Sequence, residues 1–448
     1  MKITLKNLIL TLLIPLIVLI TRPLGLSTDQ SIVLAALLLT LTLWVNKTVN
    51  RTYSSIFLIL VFLIFGNTPL ERVFTFPLSD NFLLIVLSFL FSEGIVKSRL
   101  IDKLLKPYIG YFATSLPRLF LSIWLISLVM IFVIPQPFIR LILLGTIFRE
   151  YLNGEGFEEN VKEPILLGVF LIAIVTNTFF LKGDIIMNPA LISMSGIPIG
   201  PAQWTRLFLP PGLLHLVFLM SVFSLLHRGD LRGYIKKKDK LPTIKLDRED
   251  LKKLLLVLLP LVFWALEDLH PVPGTAVILV GIILMFLGGI LSLKDLGSIQ
   301  WSLLIFLTAT FSIGPVMSGS GTAQILFGQL RPIFPQEYSL FMLLAVILAA
   351  MIIHMVLGSI VTTMSVVLPG MALLTEGAMS PLLMALIVFV TLALHFILPF
   401  HSVHLVVGEG YGFFTQDRVI GTGIVLTVVI LISLFAIYIP WWHFVGLS

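Results

Sequence analysis

The chain has no cysteine, which excludes a disulfide framework, a thiol nucleophile and any cysteine-ligated metal. Charge is scarce too. Asp, Glu, Lys and Arg make up 12% of 448 residues, about half the roughly 25% of ordinary globular chains. With hydrophobic residues at 58%, that shortage leaves little room for a soluble protein. Only 227–253 forms a long hydrophilic stretch, so no soluble signalling domain is expected.

What is present is a succession of apolar windows, each long enough to cross a hydrocarbon core of about 30 Å. The first, from Leu8 to Ile20, follows only Lys2 and Lys6 and lacks a small-residue cleavage site, so it reads as a retained span. The net charge of +6 is unevenly spread: ten of the 29 Lys and Arg fall within 227–253. If spans alternate, that segment shares a side with Lys47/Arg51 and Lys97/Arg99/Lys103/Lys106, while Arg22, Arg72 and Arg331 lie opposite. The asymmetry predicts a multi-pass protein of the cell (inner) membrane with a cytoplasmic N-terminus. The C-terminus (Trp441, Trp442, His443) suits the extracytoplasmic interface. Phospholipid contact accounts for the basic loop, so the lipid bilayer is the expected partner and nucleic acid is not.

The pattern occurs twice. Pro135-Gln136-Pro137 interrupts an apolar stretch, as Gly358-Ser359 interrupts a second about 220 residues later. Each is followed by a span broken part-way, at Lys182-Gly183-Asp184 and at His401-Ser402-Val403-His404. The reading is an all-α polytopic membrane protein with spans near 5–22, 30–46, 53–67 and 81–96, a hairpin at 118–149, a broken span at 164–193 and a span at 204–227. The second half has spans near 252–267, 273–293 and 299–317, a hairpin at 339–373, a broken span at 381–408 and a last span at 417–440. About 11 crossings put the termini on opposite sides, so the halves 1–227 and 252–448, joined by a basic cytoplasmic linker at 228–251, form an inverted repeat. Pro135 and Pro137 remove two backbone donors and favour a re-entrant hairpin over a long kinked helix. Paired, polar-interrupted segments in two halves point to a secondary transporter with a midplane site.

Several segments resemble the divalent anion/sodium symporter (DASS) family of the ion transporter superfamily. They are Phe-Leu-Phe-Ser-Glu-Gly-Ile-Val-Lys-Ser-Arg-Leu (89–100), Gly-Ile-Pro-Ile-Gly-Pro-Ala-Gln-Trp (196–204), Leu-Ser-Leu-Lys-Asp-Leu-Gly-Ser-Ile-Gln-Trp (291–301) and Gly-Glu-Gly-Tyr-Gly (408–412). The resemblance implies a homodimer, with a scaffold and an elevator-like transport domain built from hairpins and broken spans. It also implies tips reading Ser-Asn-Thr, whose oxygens and amides hold sodium and a substrate carboxylate. Here the tips read Pro135-Gln136-Pro137 and Ser359-Ile360-Val361 instead.

Candidate substrate-binding residues are the polar groups near tips and breaks: Gln136, Asn177, Thr178, Asn188, Ser359, Thr362, Thr363 and Ser402. Ionisable residues inside spans are expensive and point to function. Arg140 and Lys182 offer a fixed positive charge where relatives use sodium. Asp184 either neutralises Lys182 or joins the site, and His401 and His404 suit proton coupling. His354 and His395 read as packing residues. No third ligand type stands near the histidine pair, so no metal or cofactor is expected; the coupling ion is H+ or Na+. The predicted function is secondary transport of a small anion, a carboxylate or inorganic oxyanion, coupled to protons or exchange rather than strictly to sodium. Two other readings are a transport-inactive sensor or scaffold, suggested by the altered tips, and a membrane enzyme for lipid-linked substrates. The enzyme reading lacks an extracytoplasmic catalytic loop.

Overall fold

The computed structural model describes residues 5–46, 49–104, 106–232, 234, 246–266, 270–397 and 401–447. Among them every regular element is a helix. Half of the basic linker 228–251, residues 233 and 235–245, lies outside the described residues. The first half contains α1 (Leu5–Thr21), α2 (Thr28–Asn46), α3 (Arg51–Phe65) and α4 (Asp80–Ser98). Next come α5 (Leu116–Val133), α6 (Pro137–Gly154), α7 (Glu159–Asn177), α8 (Met187–Ser195) and α9 (Pro201–Leu226). The second half contains α10 (Arg248–Ala265), α11 (Gly274–Leu287), α12 (Trp301–Gly319), α13 (Leu340–Leu357) and α14 (Ile360–Leu374). It ends with α15 (Pro381–Leu394), α16 (Val403–Gly410) and α17 (Gln416–Ser433), which runs through a π-helical turn (Leu434–Tyr438) into α18 (Ile439–Phe444). Among the described residues, six helical stretches are each long and apolar enough to cross a membrane, including the first leg of each hairpin, α5 and α13.

The same pairings recur in both halves. Helices α2–α3 and α10–α11 pack as neighbours, and α3 meets α12 as α4 meets α11. Together with α1 these helices make one group. In the other, α7 packs on both legs of the first hairpin, and α15 on both legs of the second. The halves interlock where α8 lies on α14 and α16 lies on α6. Every residue of α7 from Pro164 to Asn177, and of α15 from Leu383 to Leu394, is buried. A helix apolar all round belongs inside a protein, and these two are the pillars of the hairpin body. Lipid-facing stripes lie elsewhere, as in Leu348, Ile352 and Val356 on α13 and Ile424, Val428 and Ile432 on α17.

The interruptions have local causes. Pro137 occupies the first turn of α6, where its missing donor costs nothing, and the Gln136 side chain caps the helix by accepting the Ile139 N–H at 2.8 Å. Gly358 ends α13 in the left-handed region (φ 62), and Ser359 caps α14. In the first broken span, Asp184 Oδ1 accepts the N–H groups of Ile186 (2.9 Å) and Met187 (2.8 Å), which starts α8.

Two ion pairs fasten the first group. Lys97 at the end of α4 meets Asp295 at 2.5 Å, and Lys103 meets Asp250 at 2.5 Å. Both carboxylates also close capping boxes, at Ser292 and Asp247. The lysine hydrogen bonds hold both carboxyls below their ordinary 3.8.

Candidate functional site

Both tips and both breaks meet at one small chamber. Its walls include Phe138 just past the first tip, Ser359, Ile360 and Val361 of the second, Asp184, Ile186 and Met187 of the first break, and Val403 and His404 of the second. Arg51, Leu303, Phe306 and Leu307 close it from α3 and α12. The cavity is about 60 Å³, room for a few waters. His404 Nε2 lies 3.5 Å from Asp184 Oδ2, and its ring lies 5.3 Å from that of Phe138. The Arg51 guanidinium lies 4.6 Å over the Phe306 ring. The sequence reading put Arg51 in an interfacial loop, and only the Asn50 cap before it hints that it opens a helix.

Arg140 is buried beside this chamber and makes three hydrogen bonds. Its guanidinium donates to the Ile134 carbonyl at 2.8 Å, to Asn177 Oδ1 at 2.8 Å and to the Gly183 carbonyl. Asp184 is its electrostatic partner. A cation thus sits in a cage of oxygens drawn from the first tip, the end of α7 and the break. Asn188 holds the same turn, its Nδ2 donating to the carbonyls of Asn177 and Phe180, both at 2.9 Å.

Lys182 and Asp184 flank Gly183 but point to different places. Lys182 Nζ donates to the Trp264 carbonyl at 2.6 Å and lies 5.0 Å over that indole. It lines a separate cavity of about 540 Å³ with Asp80, Asn81 and His270. Among the described residues no ion pair joins Lys182 to Asp184. His401 packs with His354 and His395, away from the chamber wall. Several predicted hydroxyls bond back to their own helices: Thr178 to the Val175 carbonyl, and Thr363 to the Ser359 carbonyl, each at 2.7 Å. Thr362 Oγ1 donates to Ser359 Oγ at 3.1 Å. Gln136 Nε2, Asn177 Nδ2, Asn188 Oδ1 and Ser402 Oγ are buried without a hydrogen bond among the described residues. Buried polar atoms are normally paired, so these four leave hydrogen-bonding capacity open around the tip and breaks.

A family model described as the sodium:sulfate symporter transmembrane region matches residues 2–448. The chain belongs to that family. No curated protein matches it in sequence. Membership makes the chain a membrane-spanning secondary transporter of anions such as sulfate or carboxylates, in a family of transporters rather than enzymes. The apolar helices agree with that placement.

Proposed function

We propose that the chain carries a small anion, a carboxylate or inorganic oxyanion, and is coupled to protons or exchange rather than strictly to sodium. The hairpin body moves past the scaffold in an elevator-like step. The halves 1–227 and 252–448 form an inverted repeat around the linker 228–251. The carrier is a homodimer in the cell (inner) membrane, with its N-terminus cytoplasmic and its C-terminus extracytoplasmic.

The observation that carries the coupling part is the Arg140 cage. A guanidinium does not deprotonate in proteins and, being covalent, does not leave. It takes the oxygens that a mobile cation would otherwise need at the first tip. The anion is received by the N-termini of α14 and α16, whose first residues line the chamber, with Arg51 adding charge and His404 a ring nitrogen. Gln136 and Asn177 supply amide donors, and Thr178, Asn188, Ser359, Thr362, Thr363 and Ser402 shape the polar rim. The test is uptake of labelled sulfate and labelled succinate by purified protein in liposomes, with sodium and pH gradients imposed separately. Uptake driven by a pH gradient or by internal anion is expected; strict sodium dependence without a pH effect overturns the coupling.

A further inference from the structure

Three histidines far apart in sequence meet where the second hairpin joins the second break. His354 ends α13, His395 follows α15 and His401 precedes α16. Their ring centroids lie 5.8 Å (His354–His395), 5.5 Å (His354–His401) and 6.5 Å (His395–His401) apart, and all three side chains are buried. Hydrogen bonding fixes two of the tautomers. His354 Nε2 lies 2.9 Å from the His401 carbonyl, which only accepts, so Nε2 carries the hydrogen and Nδ1 the lone pair. His401 Nδ1 accepts the Ile397 N–H at 3.2 Å, so in the neutral ring its hydrogen is on Nε2. His354 Nδ1 and His395 Nδ1 have no hydrogen bond among the described residues. The site therefore holds basic nitrogens in an apolar interior, with donors missing.

The electrostatic partners of His354 and His395 are the other members of the cluster. Among the described residues no carboxylate pairs with His354 or His395, and α6, which packs on α16, carries Arg140, Arg149 and Glu150. Helices α8, α14 and α15 carry no acidic or basic residue. Asp29 sits in the first turn of α2, and Glu159, Lys162 and Glu163 sit at the start of α7. On α16, His404 faces Asp184 and Glu409 lies near the far end.

We propose that His354, His395 and His401 form a proton site, loaded together with the anion. This rests on the carrier reading above. One proton taken from water adds to an unmet imidazole nitrogen, and the new N–H is shared with a neighbouring ring. No other bond forms or breaks. Among the described residues no carboxylate pairs with His354 or His395, and Asp184 in the chamber wall is already engaged by Arg140, His404 and two backbone amides, so the imidazolium is stabilised by an anion at the adjacent N-termini of α14 and α16, and it stabilises that anion in return. The link is mechanical as well. The His354 carbonyl accepts the Gly358 N–H at the tip (2.8 Å), and its ring holds the His401 carbonyl at the break.

The test uses the full chain in liposomes with the membrane potential clamped to zero and labelled sulfate or succinate as probe. Anion counterflow by wild type establishes the carrier; its absence with both probes removes that reading and this inference with it. An outside-acid gradient of one pH unit drives about tenfold accumulation per coupled proton. Wild type is expected to reach that level, and His354→Gln and His395→Gln to lose accumulation. Counterflow without accumulation in wild type, or full accumulation in both variants, overturns the proton site while leaving the carrier standing. Where a variant does not fold, proton uptake by wild type on mixing with sulfate or succinate in weak buffer decides instead: uptake supports the site, and none with either anion overturns it.

Discussion

Asp184 and His404 face each other at 3.5 Å, one from each interrupted span, so the two halves of the chain touch through a pair of ionisable groups at the chamber wall. Asp184 also caps α8 through two backbone amides. The two roles separate by mutation. Asp184→Ala removes the cap together with the carboxylate partner of buried Arg140 and His404, and lowers stability by about 3–5 kcal/mol, read as a lower melting temperature. His404→Gln leaves the cap intact and keeps an amide donor for Asp184, so it costs less stability than Asp184→Ala, while anion uptake falls about tenfold or more, a loss of ~1.4 kcal/mol of binding.

Arg140→Ala opens the oxygen cage. The carbonyls of Ile134 and Gly183 and the Asn177 amide oxygen lose their donor, and the variant is expected to lose about 3–5 kcal/mol. Sodium chloride should then raise its melting temperature relative to choline chloride, as a mobile ion takes the vacated oxygens. A sodium shift of equal size in wild type argues against a filled cage.

Lys182 ties the first break to Trp264 of the scaffold. Lys182→Met removes a hydrogen bond and a cation–π contact together worth about 1–2 kcal/mol, a roughly tenfold change in the balance of conformations. The absence of native cysteine makes the readout clean. The rate at which a thiol reagent labels Ser193→Cys, in the wall of the same cavity, is expected to rise in the Lys182→Met background.

The Lys103–Asp250 pair gives a pH dependence of known sign. Asp250 titrates below its ordinary 3.8 because Lys103 hydrogen-bonds its charged form. Its contribution is therefore present in full well above 3.8 and is lost as pH falls through the lower folded value. Asp250→Asn should melt below wild type at pH 7, with the gap closing only in strong acid.

How much of this was legible depended on which atoms made each feature. The first hairpin was readable because Pro135 and Pro137 write their effect into the sequence, and the second because Gly358 and Ser359 form a stop and a start. The broken spans showed as short polar interruptions in apolar runs. The environment of Arg140 was not readable: two of its three acceptors are main-chain carbonyls, which every residue has, and one lies 43 positions away. The direction of Lys182 depended on Trp264, in a helix whose packing no local pattern encodes. His354 and His395 looked like packing residues because nothing in their own segments announces His401 as a neighbour.

The Arg140 guanidinium bears on what a transport cycle moves as well as on what it binds. A tethered cation makes the outward and the return journey alike, so its charge is never delivered to either compartment. The electrical balance sheet of each turnover must then be closed by the cargo and whatever dissociates with it, and the current measured across a planar bilayer would count only those.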